Sequence, residues 1–269
     1  MQTNVQNPLH EELAQLETHH QWATATCGGH DWQYLDTGGD GLPVLLLPGS
    51  VGDSAVFVKT LNSVGAQRRL IAITYPAVAD AHELAHGLEQ LMQQLQLDKA
   101  VVVGSSFAAY WIQFFALHYP QRVAKLVIGN GFTEGKDLAD NPLFDRETIE
   151  QTPAATLHSE WVERLKPLAH QPLQGFLLKL LSERQSPETL KARLMGVVMA
   201  QACPALSIDD SDVVIIDCPD DPLIPPAAQQ KMRARYPGAT HISFENGGHY
   251  PHLLSSKQYE QFILDCVKK

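Results

Sequence analysis

The chain has 269 residues, 44% of them hydrophobic, and a formal net charge of -10 at pH 7. That length buries one large core, and with no internal repeat or low-complexity tract it argues for one domain carrying an insertion. Acidic residues are spread along the chain and no basic stripe offsets them, which makes nucleic acid and anionic membrane poor partners and small neutral molecules better ones.

No positively charged leader runs into an apolar stretch, and no apolar run approaches the roughly 18 residues of a membrane span, so a soluble, unexported, cytoplasmic chain is expected. Pro8 to Thr18 opens with a polar, helical pattern. "QWATATCGGHDWQYLD" then gives two short β-prone runs joined by Gly28 and Gly29, a hairpin signature. The later segments "PVLLLPG", "RRLIAITYP", "KAVVVGS", "AKLVIGN" and "SDVVIIDC" are different: each is an unbroken apolar run of strand length, the pattern of strands buried on both faces of a parallel sheet. Helical periods lie between them, with Leu84, Leu88, Leu91 and Leu95 on one face, then Tyr110, Trp111, Phe114, Phe115 and His118 on another. This alternation predicts an α/β fold with a mostly parallel central sheet.

The alternation stops near residue 133 and resumes near 208. Inside that stretch "QGFLLKLLSERQSPETLKARLMGVVMAQ" reads as two amphipathic helices divided by Ser186 and Pro187. Residues 1–132 and 208–269 are therefore expected to form the core, and 133–207 a helical lid inserted into it. Phe176, Leu177, Leu180 and Leu181, with Leu194, Met195, Val198 and Met199, would either roof a pocket or pack on one another. Cys27, Cys203, Cys218 and Cys266 are scattered without a CxxC pair, which fits reduced thiols in packing roles.

Chemistry enters at "VVVGSSFAAYW", Val101 to Trp111. A sharp strand-to-helix turn that exposes a nucleophile needs small residues two before and two after it, because the two backbones nearly touch. Ser106 has Gly104 and Ala108 at those places, whereas Ser105 has Val103 and Phe107. Ser106 is thus the candidate, unless it merely caps a helix. A serine needs a histidine to take its proton and an acid to fix that histidine, following in the order Ser, Asp, His for this fold class. "VVIIDCPDDPLIPPAAQQKM" supplies Asp221 in a turn after a buried strand, and "THISFENGGHYPHLL" delivers His249 behind Gly247 and Gly248. Asp220 ranks second and Asp217 third for the acid; His252, after Pro251, is the competing histidine.

With these pieces assembled, the chain resembles an α/β-hydrolase over nearly its whole length. "GSSFAA" is similar to the nucleophile elbow, "DDPLIP" to the acid turn and "GGHYPHL" to the histidine loop. The resemblance implies Ser106 as nucleophile, Asp221 as acid and His249 as general base. It also implies an oxyanion site made by the N–H groups of Phe107 and Ser50, the latter following "LLLPG". Many hydrolases carry histidine before that glycine, where this chain has Pro48. A narrower likeness runs through "LIAITYPAVADAHELAHGLEQLMQQLQLDKAVVVGSSFAAYWIQFFA", which is similar to the maspardin branch.

One decoy stands apart. "HELAH", His82 to His86, spells the H-E-x-x-H of zinc proteases. On a helix of 100° per residue the two histidines fall opposite the leucine stripe and face solvent, without a buried cleft or an evident third ligand. The expected activity is therefore that of a serine hydrolase, cleaving an ester or related acyl bond of a small, partly apolar substrate through an acyl-enzyme, with no cofactor and no metal. A serine at the elbow disfavours the aspartate chemistry of related dehalogenases and epoxide hydrolases. The alternatives are a maspardin-like non-catalytic binding or adaptor protein, and C-C hydrolysis, peptide cleavage or acyl transfer on the same three residues.

Overall fold

A computed structural model describes residues 7–267. Its strands are β1 Ala23–Cys27, β2 His30–Asp36, β3 Val44–Leu47, β4 Leu70–Thr74, β5 Ala100–Ser105, β6 Val123–Gly129, β7 Val213–Asp217 and β8 Thr240–Ser243. They form one sheet in the order β1-β2-β4-β3-β5-β6-β7-β8. β1, β2 and β4 pair antiparallel, and every pair from β4 through β3 to β8 is parallel. The β1–β2 hairpin closes over Gly28 and Gly29 at φ 62° and 80°, the left-handed pair that a two-residue turn requires.

The helices are α1 Pro8–His19, α2 Val58–Val64, α3 Ala81–Gln94, α4 Phe107–His118, α5 Arg146–Gln151, α6 Ala154–Leu165, α7 Pro172–Arg184, α8 Pro187–Val198, α9 Pro226–Arg235, α10 Pro251–Leu254 and α11 Ser256–Cys266. Successive residues of a strand point to opposite faces. Leu45, Leu47, Val102, Leu126 and Ile215 accordingly pack with α3, α4 and α9. Val44, Leu46, Val103, Val127 and Ile216 pack instead with α1, α2 and α11. Both faces are covered, which is why these strands read as continuous apolar runs and not as alternating ones.

On α3 the leucine stripe turns inward as expected, with Leu84, Leu88 and Leu91 buried and His82 and His86 exposed. α4 differs from its expected one-sided pattern. Every residue from Phe107 to Ala116 is buried, because the helix lies between the sheet, α3 and α8, while His118 at its end is exposed. α5 to α8 all lie between β6 and β7. Ser186 caps α8, its Oγ accepting from the Thr189 N–H at 3.1 Å, so the Ser-Pro break between α7 and α8 falls where the sequence puts it. α5 and α6 fall inside the stretch expected to be helical but carry no individual signal, since they bury only Ile149, and Leu157 with Trp161, too few apolar positions to make a period. Phe176, Leu177 and Leu180 pack among residues of α1 and β3, and Leu181 and Leu194 join the opposite core, so these side chains fill the interior, while the half-buried Met195 and the exposed Met199 line a surface pocket. The four cysteines are free; Cys27, Cys203 and Cys218 are buried and Cys266 half-buried. Among the described residues no helix is long and apolar enough to cross a membrane.

Candidate active site

Ser106 occupies the turn between β5 and α4 with φ 55° and ψ -116°, a left-handed conformation that costs a non-glycine residue of order 1–3 kcal/mol. The turn is held from both sides. A Cβ on Gly104 would lie 2.6 Å from the Ala108 carbonyl carbon, so strand and helix touch where only glycine fits. The Ser106 N–H donates to the Gly129 carbonyl at 2.8 Å, tying the turn to β6. Its side chain does not cap α4 and opens instead on a small pocket of about 50 Å³ that it shares with His249, Ser50, Phe144 and Trp161.

Asp221 sits in the turn after β7, closed by its N–H donating to the Cys218 carbonyl at 3.0 Å. Its Oδ1 accepts the N–H groups of Leu223 at 2.8 Å and Ile224 at 3.2 Å, and its Oδ2 accepts Asn130 Nδ2 at 2.6 Å. His249 Nδ1 lies 3.0 Å from Oδ1 and 2.9 Å from Oδ2. Burial alone would raise the carboxyl, but the facing His249 and these hydrogen bonds hold it below the ordinary aspartate range, so it is an anion near neutral pH. A carboxylate at Nδ1 puts the histidine proton there and leaves Nε2 as the basic nitrogen.

The glycines ahead of His249 have separate tasks. A Cβ on Gly247 would strike Cys218 Sγ at 2.5 Å, and Gly248 takes φ 51° while its N–H donates to Asp220 Oδ1 at 2.9 Å. Asp220 therefore holds the loop and Asp221 faces the imidazole. Asp217 is engaged elsewhere, paired with Arg233 at 2.5 Å and His241 at 2.7 Å. His252 lines the same pocket but is fully buried against Phe57, with ring centroids 4.6 Å apart and Nε2 unpartnered. Burial pulls its pKa down to about 3, which keeps it neutral.

Asn130 escaped the sequence reading. It follows β6 at φ 47° and is buried, with Nδ2 shared between Asp221 Oδ2 and the Gly248 carbonyl at 3.1 Å. One amide thus joins the acid to the histidine loop. The available signal was an asparagine directly after a buried strand, one of the few non-glycine residue types that tolerate positive φ. Phe144 and Trp161, the aromatic walls over Ser106, were also missed, since they belong to the weakly patterned stretch around α5 and α6.

Ser50 follows Gly49, whose backbone abuts the serine: a Cβ there would sit 3.0 Å from Ser106 Cβ. Phe107 begins α4 with its ring buried beneath Gly196. No loop or turn carbonyl among the described residues takes the N–H of Ser50 or Phe107. A larger pocket of about 640 Å³ opens between His82, Tyr110, Phe114, Met195 and Met199, but Ser106, Asp221 and His249 are not among its walls. Size alone is a poorer guide here than the convergence of ionisable groups on the small one. At the HELAH stretch His82 Nδ1 lies 2.7 Å from His118 Nε2 and His86 Nδ1 lies 2.7 Å from the Tyr119 hydroxyl, and no group among the described residues is arranged to hold a metal.

A family model described as "Alpha/beta hydrolase family" matches residues 44–262. Maspardin of Homo sapiens is 25% identical over 240 residues, covering 86% of this chain and 77% of that protein. Among solved structures, a thermophilic esterase from Thermogutta terrifontis superposes with a TM-score of 0.69 at 21% identity, covering 91% of this chain and 97% of its own. An esterase from Exiguobacterium antarcticum does so with a TM-score of 0.73 at 19% identity, covering 93% and 100%.

Proposed function

The chain belongs to the alpha/beta hydrolase family, and from that premise we propose that it is a serine hydrolase cleaving a small carboxylic ester through an acyl-enzyme formed on Ser106. The observation that carries the reading is the buried His249–Asp221 pair, 2.9 Å apart, facing the pocket onto which the strained Ser106 opens. In this mechanism His249 Nε2 takes the hydroxyl proton as Ser106 Oγ bonds to the acyl carbon. The N–H groups of Ser50 and Phe107 receive the oxyanion, where each such donor lowers the barrier by about 2.7–4 kcal/mol in other enzymes. The intermediate collapses as His249 returns the proton to the departing alcohol, and water then repeats the sequence on the acyl-enzyme. Asp221 keeps the proton on Nδ1 throughout and balances the imidazolium.

Pocket size bears on the acyl group. About 50 Å³ is well below the roughly 300–1,000 Å³ of sites for drug-sized ligands, which favours an acyl group of acetyl size between Phe144 and Trp161. The esterases of similar fold are consistent with ester chemistry. The test is labelling with a fluorophosphonate, followed by turnover of p-nitrophenyl esters of increasing acyl length. Label on Ser106, its loss with all turnover in Ser106→Ala, most activity retained in Ser105→Ala and rates falling beyond short acyl chains are the expected results. Label on Ser105 would overturn the assignment of the nucleophile. A wild-type protein that neither labels nor turns over any activated ester returns the fold to the non-catalytic binding alternative.

A further inference from the structure

The loop Pro48 to Gly52, which carries the Ser50 N–H, has the carbonyl oxygens of Pro48, Gly49, Ser50 and Gly52 held by three buried side chains, two of them from the segment inserted between β6 and β7. The Tyr75 hydroxyl is 2.9 Å from the Pro48 carbonyl oxygen and 3.0 Å from that of Gly49. Gln185, just ahead of α8, donates Nε2 to the Ser50 carbonyl at 2.7 Å and accepts the Gly52 N–H on Oε1 at 2.7 Å. Arg193, on α8, donates Nη1 to the Gly52 carbonyl at 2.8 Å, reaches the Gly49 carbonyl at 3.3 Å, and donates Nη2 to the Tyr75 carbonyl at 2.9 Å.

Arg193 is an unusual residue to find here. Its exposure is 0%, its guanidinium carbon lies 4.0 Å from the centroid of the Tyr75 ring, and the carboxylate acting on it through space, Asp53, is itself bonded to Arg184 at 2.6 Å. A buried cation needs compensation, and this one draws it from the oxyanion loop and from the residue whose hydroxyl holds that same loop. In a trans peptide the C=O and the following N–H point in opposite directions. Fixing the Gly49 carbonyl on Tyr75 and Arg193 therefore fixes the Ser50 N–H on the opposite side of that peptide, and Gly49 itself abuts Ser106. A flipped peptide would aim a carbonyl at the oxyanion and strip an acceptor from a buried charge.

We propose that Arg193, Gln185 and Tyr75 are positioning residues that keep the Ser50 N–H directed at the oxyanion, so that the seating of α8 on the core sets the competence of the site. The inference rests on the serine hydrolase reading. It makes the inserted helices a working part of the oxyanion site as well as a cover over it: displacement of α8 withdraws two of the three clamps at once.

The test uses the full chain as wild type, Tyr75→Phe, Gln185→Met and Arg193→Met, each checked for folding by thermal unfolding. Turnover of p-nitrophenyl acetate gives kcat and KM, and inhibition by phenylboronic acid, which forms a tetrahedral serine adduct, reports the oxyanion site without turnover. Removing a whole donor costs about 10²–10³ in kcat, so loosening one is expected to cost about 10–100-fold, with KM changed less than about two-fold. Boronate affinity should weaken in step with kcat, which a merely structural defect would not produce. Tyr75→Phe keeps the ring on Arg193 and decides the matter if Arg193→Met fails to fold. Folded Tyr75→Phe and Gln185→Met proteins with wild-type kcat and boronate affinity would overturn this inference while leaving an active, labelled wild type in place. A wild type that neither labels nor hydrolyses overturns the hydrolase reading and this inference with it.

Discussion

His252 gives the protein a specific acid sensitivity. Its ring is 1% exposed, packs between Phe57 and Tyr259, and is held neutral, with a pKa pulled from the ordinary 6.5 to about 3 by burial and by the neighbouring His249. The unfolded chain binds a proton at this residue below pH 6.5 while the folded chain does not until about pH 3. Its contribution to stability is therefore complete above the unfolded value and is lost as pH falls through that window. Integrating the difference between about pH 7.5 and pH 5 gives a loss of about 2 kcal/mol from this one group, with a limiting slope of about 1.4 kcal/mol per pH unit. Replacing it by phenylalanine removes the titration and leaves an aromatic ring in an aromatic cluster. Overpacking would shift the variant's stability by about 1–3 kcal/mol, but equally at every pH. Urea unfolding of wild type and His252→Phe at several pH values measures the difference curve, in which contributions from the remaining groups cancel. A difference that stays constant within about 0.5 kcal/mol across that range would refute the reasoning, since a solvated histidine would produce that result.

Asn130→Ala removes the amide that bridges Asp221 and the Gly248 carbonyl; kcat is expected to fall about ten-fold with little change in KM, and unfolding to require about 1–3 kcal/mol less, checked by steady-state kinetics and urea titration. Gly104→Ala forces a methyl to within 2.6 Å of the Ala108 backbone, and the fluorophosphonate labelling rate of Ser106 is expected to drop with stability; a variant that labels at the wild-type rate would show that the turn is not held by that contact.

Much of the fold was legible because its determinants are local. Unbroken apolar strands and a leucine stripe on α3 follow directly from burial on two faces or one. The placement of Ser106 in a tight strand-to-helix turn, which follows from the two small residues that flank it, and of His249 behind its glycines is local in the same way. Contacts made across the chain were not legible. Asn130 meets Asp221 across 91 residues and Arg193 reaches Gly52 across 141, and neither partner leaves a mark in its own neighbourhood. α4 was misjudged for a related reason: a helix buried all round has no polar face from which its orientation can be read.

The backbone strain of the site has a common address. Ser106 and Asn130 follow the carboxyl ends of adjacent parallel strands β5 and β6, and Gly248 lies in the loop after β8; all three take positive φ. At that edge the strands stop pairing while the turns must still bring a hydroxyl, an amide and an imidazole together, so backbone freedom is needed where ladder hydrogen bonds end. The sheet compensates directly, since the Ser106 N–H bonds to the Gly129 carbonyl and the Asn130 N–H to the Ile216 carbonyl, each at 2.8 Å. The turns at Ser106 and Asn130 are thus each anchored by the neighbouring strand, and Gly248 by the Asp220 carboxylate. Because β5, β6 and β7 are locked in parallel register, Ser106, Asn130 and the turn bearing Asp221 are positioned against one another by the sheet, while the inserted segment holds the loop bearing Ser50 through Gln185 and Arg193.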